Sequence, residues 1–401
     1  MRAAPKAVEV AVVAVTKTYF AVHLWLRFIA LSLLTQSLFA AVLPEERSDV
    51  MYHRYEGGGV EIDGPSVLIR KNFAETFSVS ANYYVDKISS ASIDVVTSGA
   101  SEYQEERTEY SLTGDYLYDR SVFSAGITTS DENDYEANTV YFNVSQDMFG
   151  DLTTISLGYS RGNDTVRQTG NEEFEETIDR QNYRIGISQI LTTHMLLAIN
   201  YESITDEGFL NNPYRSYRYL NNPNDPSAGT QFSQEVYPAT RTSDSIALRL
   251  AYHLPYRAAI KGEYRYFTDD WGIDAQTYQI TYTHPFRDNW LFDIKYRAYQ
   301  QGPADFYQDL FTTQSQDSKD YRARDKELSD FDSNTISIGI SYQLPSLIEA
   351  VERSTISFQW DHIQFDYNNF RDLQNSTAAT GEEPLYQFDA DVFKLFFSIW
   401  Y

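Results

Sequence analysis

The chain has 401 residues, with 57 Asp and Glu against 32 Lys and Arg, a formal net charge of −25 and no cysteine. Such a surface argues against nucleic acid as a partner. The missing thiols exclude disulfides, thiolate metal sites, Cys nucleophiles and amino-terminal lipid attachment. Tyr (32) and Phe (24) supply most of the aromatic content, fitting two aromatic girdles at the membrane interfaces. Mean hydropathy is −0.45, as expected where only every other strand residue faces lipid.

From the amino terminus, Arg2, Lys6, Lys17 and Arg27 precede an apolar run from Phe28 to Ala41. This predicts a signal peptide over 1–41, cleaved after Ala40 or Ala41, because the run is short for a membrane span. Leu38 or Phe39 stands where a small residue is usual upstream of the cut. Residues 42–401 are then one β-barrel domain.

Beyond the signal, segments of period-two alternation come in pairs. Their short connections lie near Asn72 to Glu75, Asp119-Arg120, Met148 to Asp151, Thr192 to His194, Leu254 to Tyr256, Pro285 to Asn289 and Pro345 to Glu352. The long ones are Ser89 to Gln104, Asp131 to Glu136, Arg161 to Arg180, Glu207 to Thr240, Asp269 to Ile273, Gly302 to Ser333 and Asn368 to Tyr386. Bacterial barrels keep short turns in the periplasm and long loops outside, which orients the chain. Ile155, Leu157 and Tyr159 alternate with Ser156, Gly158 and Ser160. Further on, Ile336, Ile338 and Ile340 alternate with Ser337, Gly339 and Ser341. The last strand places Phe393, Leu395, Phe397, Ile399 and Tyr401 on one face, the expected assembly signal of an outer-membrane barrel. Fifteen strands fit between Val60 and Tyr401, and Val50 to Glu56, turning at Gly57-Gly-Gly59, supplies the even count. The fold class is therefore all-β: a transmembrane antiparallel up-and-down β-barrel of about sixteen strands, with fourteen as the alternative. A soluble sandwich would need a second buried face that these polar faces cannot provide.

On the inward face, Arg249, Lys261, Glu263, Arg265, Asp293, Lys295 and Arg297 form a belt of mixed sign. It reads either as a transverse field selecting solutes or as a salt-bridged wall, and the closeness of opposite signs favours the wall. Asp131, Glu132 and Asp134, and the run Glu172, Glu173, Glu175 and Glu176, fall in exterior loops. The first three are weak candidates for a divalent cation, but without calcium-loop spacing or a fixed glycine a solvated charge run is expected of both. The aromatic, turn-rich stretch from Asn211 to Pro226 is a constriction loop folded inward, an external binding surface or, equally, an ordered loop packed on its neighbours. No catalytic motif is present. Asp361-His362 and Asp269-Asp270 are adjacent pairs that a strand points to opposite faces. No enzymatic activity and no cofactor are expected.

Met51-Tyr-His-Arg-Tyr-Glu-Gly-Gly-Gly59, Ile62-Asp-Gly-Pro-Ser66, Ser80-Ala-Asn-Tyr-Tyr-Val-Asp86, Asn211-Asn-Pro-Tyr-Arg215, Ala323-Arg-Asp-Lys-Glu-Leu-Ser329 and Asp361-His-Ile-Gln-Phe-Asp366 resemble a bacterial domain-of-unknown-function family, number three-five-seven-zero. The resemblance runs from about Met51 to Tyr401. It implies a Gram-negative outer-membrane barrel whose role is unassigned, and it carries over no catalytic residue. The expected surroundings are outer-membrane lipid, lipopolysaccharide and the barrel-assembly machinery, with small solutes or divalent cations as further partners. The leading expectation is a pore or the membrane part of a transport or export pathway; the second is a non-conducting scaffold or adhesion barrel, and the weakest a surface hydrolase.

Overall fold

A computed structural model describes residues 42–90, 103–345, 350–374 and 377–401; the predicted signal peptide lies outside them. Sixteen strands close on themselves. In chain order they are β1 (Arg47–Gly57), β2 (Val60–Phe73), β3 (Phe77–Ser90), β4 (Tyr103–Tyr118), β5 (Ser121–Asp131), β6 (Tyr135–Met148), β7 (Thr153–Gln168), β8 (Asn171–Thr192) and β9 (Met195–Gly208). A small hairpin, β10 (Ser216–Leu220) with β11 (Thr230–Gln234), interrupts the series and stands outside the barrel sheet. The wall resumes with β12 (Thr240–His253), β13 (Ala259–Asp269), β14 (Asp274–Phe286), β15 (Trp290–Gln301), β16 (Phe331–Leu344), β17 (Arg353–Arg371) and β18 (Leu385–Trp400). Neighbours along the chain pair antiparallel, β9 pairs with β12, and β1 closes on β18 from Arg47↔Trp400 to Gly57↔Ala390. Closure leaves no edge, so every wall residue can bond its backbone within the sheet. In a lipid interior no other sheet is viable.

The expected alternation decides which way each side chain points. On β16, Ile336 and Ile338 are exposed on the outer face while Thr335 and Ser337 are buried on the inner one. On β18, Phe393, Leu395 and Phe397 are 38%, 51% and 39% exposed; the same holds on β12 for Ile246, Leu248 and Leu250. An apolar surface encircling the whole molecule is untenable in water and suited to acyl chains. Beside the short turns lie Phe77 with Tyr116 (ring centroids 4.8 Å apart) and Trp290 with Tyr342 (4.6 Å). Farther along the strands, Tyr83–Tyr110, Tyr159–Tyr183 and Tyr264–Tyr278 pair at 5.0–5.1 Å. These are two aromatic girdles, one toward each end of the wall.

The short connections fall where predicted among the described residues, which leave out 346–349 of the Pro345 to Glu352 connection. Gly58 and Gly59 both have positive φ between β1 and β2, the geometry that matches strand twist in a two-residue hairpin, and Ala74 and Glu75 have positive φ in the three-residue β2–β3 turn. One expectation needs correction: residues 161–180 are not a loop. They are the outer ends of β7 and β8, paired from Arg161↔Gln181 to Arg167↔Glu175 and reversed at Thr169 and Gly170. Past the girdle the outer face meets water, so the apolar half of the alternation disappears while the backbone ladder continues. The 131–136 connection is likewise a tight turn of three residues, 132–134. Of the 89–104 connection, 91–102 lie outside the described residues.

Candidate functional site: the charged lumen and its loop cap

The belt residues face inward from β12, β13 and β15, and most have partners. Arg249 Nε donates to Glu263 Oε2 at 2.6 Å. Arg265 Nη2 donates to Ser245 Oγ at 3.0 Å and lies 3.6 Å from Glu202 on β9. Thr283 donates to Asp293, and the Arg297 guanidinium stacks 5.2 Å from the centre of the Tyr299 ring. Lys261 is exposed to the lumen near the turn end. Lys295 Nζ lies 3.5 Å from Asp361 Oδ1, whose other oxygen is 3.2 Å from Lys394 Nζ. The sequence reading left Glu202, Asp361 and Lys394 out of the belt, although Asp361 and Lys394 each stand between outward aromatic or apolar neighbours, the signal that located the other seven. Asp361 and His362 do face opposite ways. His362 Nδ1 and Trp360 Nε1 both meet Asp391 Oδ1 on the outer face, at 3.0 and 2.8 Å.

Over the other end of the lumen, the connections 209–239, 270–273, 302–330 and 372–384 are interlocked. The first leaves the wall at Gly208, where φ is +129° and a Cβ would stand 2.1 Å from the Thr177 carbonyl oxygen, so only glycine fits. Tyr237, Trp271, Ile273, Ala304, Tyr307, Ala323 and Leu328 form an apolar core, with the lumen-facing Phe267 of β13 packed against it. Asn211 to Leu220 contributes Asn212, Tyr217 and Arg218, all within about 1% of complete burial; residues 221–228 form its exposed tip. The stretch is thus an ordered loop packed on its neighbours, as a structural member of a cap.

Three loops meet at one buried ionic junction. Arg218 of β10 holds Glu383 through Nη1 (2.7 Å) and Nη2 (3.1 Å), donates from Nε to the Asp309 carbonyl at 2.8 Å, and pairs through Nη2 with the Asp309 carboxylate. Arg324 Nη2 reaches the second Asp309 oxygen at 3.0 Å, and Arg215 pairs with Asp325. Burial raises the Glu383 carboxyl, but the Arg218 hydrogen bonds and charge, with backbone N–H groups, outweigh it and hold Glu383 below its ordinary range. Losing one partner of such a buried pair costs about 3–5 kcal/mol, chiefly because the other charge is left uncompensated.

Ties to the rim extend most of the way round. Tyr214 OH donates to Asp134 Oδ2 at 2.8 Å beyond β5, and Gln168 Nε2 of β7 donates to the Pro213 carbonyl at 3.1 Å. Trp271 Nε1 donates to the Thr240 carbonyl, Gln301 Nε2 of β15 to the carbonyls of Glu327 and Ser329, and Tyr307 OH to that of Asn369 on β17. Glu327 lies within electrostatic reach of Tyr55 on β1, across the opening. The cap has a cleft of about 520 Å³ lined by Trp271, Phe306, Phe311, Tyr321 and Arg322.

The two acidic stretches part company. Glu172, Glu173, Glu175 and Glu176 are exposed on the outer end of β8, and Glu175 pairs with Arg167 at 3.2 Å. In the other, Asp131 is exposed, whereas Glu132 and Asp134 are buried beside Glu105 of β4, one oxygen from each lying within 4.8 Å of the others. Solvation is therefore the wrong description of Glu132 and Asp134, and Asp131 does not join them. The turn curls over the inner rim, and Glu105 occupies an inward position of the neighbouring strand. Burial, partly offset by Arg107, raises Glu132 to about 7; burial, opposed by the Tyr214 hydrogen bond, raises Asp134 to about 6.

An apolar exterior, a charged interior and a closed antiparallel wall define a transmembrane β-barrel, here with one end covered by its own loops. The chain belongs to the family described as "Protein of unknown function (DUF3570)", whose profile matches residues 95–361. Among curated proteins none matches this sequence. Solved structures similar in fold include a bacterial polysaccharide outer membrane secretin (6% identity, TM-score 0.48, 88% of this chain and 99% of that one). OprD of Pseudomonas aeruginosa (10%, 0.42, 90% and 96%) and the CymD monoaromatic hydrocarbon channel (8%, 0.42, 90% and 89%) are others.

Proposed function

We propose that the protein is a gated channel of the Gram-negative outer membrane, in which the loop cap is the gate and the mixed-charge wall the conduit for small polar solutes. The observation that carries this reading is the Arg218–Asp309–Glu383 junction, which joins three loops over the mouth of a barrel whose interior is charged. Sixteen strands leave room for an aqueous lumen unless something fills it, and ion pairs along the wall keep that lumen polar. The short turns then face the periplasm and the cap the cell exterior. Phe393, Leu395, Phe397, Ile399 and Tyr401 serve as the segment read by the barrel-assembly machinery, and the apolar band contacts outer-membrane lipid.

Single-channel recording in planar bilayers tests the reading. Wild-type protein is expected to be mostly closed with brief openings, and Arg218→Ala to give long-lived conductance steps. A barrel that inserts yet stays silent in both forms is a scaffold and overturns the proposal.

A further inference from the structure

The carboxylates of Glu105, Glu132 and Asp134 have too little around them to justify their burial. They are 5%, 8% and 1% exposed. Among the described residues, Asp134 Oδ1, Glu132 Oε2 and both oxygens of Glu105 find no hydrogen bond of normal geometry, although the Asn133 backbone N–H reaches toward Glu105. An unsatisfied buried acceptor forfeits its hydration with nothing in return, at about 1–3 kcal/mol each and more when charged. The nearby cation is Arg107, and it is largely committed elsewhere. Its Nη2 donates to Glu109 at 2.7 Å, its Nε to Ser130 Oγ at 2.9 Å, and its Nη1 lies 3.8 Å from Asp86; Glu132 is 3.6 Å from Nε. Three carboxylates, those of Glu109, Asp86 and Glu132, thus share one guanidinium, with His53 on Asp86 at 2.7 Å as a further basic group.

The backbone holds this arrangement in place. Glu132 N donates to the Tyr135 carbonyl at 2.8 Å and Arg167 N to the Asp134 carbonyl at 2.7 Å, fixing the turn between β5 and β6 against β7. Asp134 Oδ2 accepts from Tyr214 OH, leaving Oδ1 for the cluster. The donor set is all oxygen and anionic, which suits a hard divalent ion and not a softer transition metal. Oxygens on opposite sides of Ca²⁺, bound at about 2.3–2.6 Å, stand about 4.6–5.2 Å apart, whereas Mg²⁺ draws them closer and demands octahedral order.

We propose that Glu105, Glu132 and Asp134 form a divalent-cation site, best suited to Ca²⁺, that staples β4 to the β5–β6 turn at the inner rim. Through the shared Asp134 carboxylate the ion also fixes Tyr214, and with it one anchor of the cap. The site itself stands whether or not the barrel conducts.

The test uses the full chain in detergent micelles, stripped with EDTA and titrated calorimetrically with CaCl₂ and, separately, MgCl₂. One saturable Ca²⁺ site per chain is expected with Kd on the order of 0.1–1 mM, the range of extracellular modules. Glu105→Gln and Asp134→Asn should each weaken it by roughly tenfold or more, since affinity follows ligand charge count. The exposed control Glu175→Gln should leave it unchanged. Ca²⁺ should raise the Tm of the wild type and not of Glu105→Gln, whose metal-free form should be at least as stable as the metal-free wild type. Should Asp134→Asn fail to fold for want of its Tyr214 bond, Glu105→Gln carries the test alone. Ca²⁺ held by co-purified lipopolysaccharide would titrate identically in wild type and variants. That result, or no saturable binding up to about 10 mM, overturns the site.

Discussion

The wall and the cap solve the burial of charge in opposite ways. In the wall, charged side chains stand at inward positions, which recur at every second residue, and find partners on the next strand or two, as Arg249 does with Glu263 across a β12–β13 pair. In the cap, Arg218 binds Glu383 across 165 residues and Arg215 binds Asp325 across 110, with no period and no neighbouring ladder to enforce them. The wall is specified by backbone closure and tolerates exchanges among its side chains. The cap depends on a few long-range pairs and fails when one of them does.

That contrast predicts where substitutions act. The largest effect belongs to Arg218→Ala, which leaves Glu383 without its guanidinium and Asp309 with Arg324 as its remaining cation, and should destabilise the closed cap by about 3–5 kcal/mol. Limited proteolysis should then cut within 302–330 while the heat-modifiable gel shift of the folded barrel is unchanged. Next comes the lipid face of the wall: Leu395→Arg near the membrane midplane should lower unfolding free energy by about 2–4 kcal/mol, read by denaturant titration in vesicles, without opening the cap.

Acid gives a milder, reversible version of the first experiment. Glu383 is held below its ordinary range in the folded cap, so its contribution is fully present above the unfolded value of about 4.3 and is lost as pH falls through the folded one. Protease sensitivity of the cap should be flat from pH 7 to about 5 and rise only below about 4. Glu383→Gln should abolish that dependence. The smallest effect is Glu175→Gln: its partner Arg167 is solvent-exposed, the pair is screened, and neither stability nor proteolysis should change measurably.

The same contrast explains what could be read from the sequence. Alternation along β12, β16 and β18 needs only a strand and two solvents, and from it the closed wall, its sixteen strands and the first hairpin at Gly57-Gly-Gly59 all follow. It also locates the belt, but not the partners of Arg265 and Lys295, because registry with β9 and β17 is a property of the assembled sheet. For the cap the signal was compositional: Asn211 to Pro226 is rich in turns and aromatic residues, yet nothing local says that Arg218 will meet Asp309. Glu105 escaped for a related reason. It is an unremarkable acid on β4 until the β5–β6 turn delivers Glu132 and Asp134 to the same point.

If the cap gates the barrel, loops 209–239 and 302–330 must move apart for current to pass. Val236 and Arg322 exchange backbone hydrogen bonds in both directions across the two loops, at 3.0 and 2.8 Å, a spacing that a disulfide can bridge, and the chain has no other cysteine to interfere. The most direct measurement is the bilayer current of the Val236→Cys, Arg322→Cys double variant before and after reduction. Silence in the oxidised state and openings on adding reductant are predicted; the same current in both states would contradict a cap that gates.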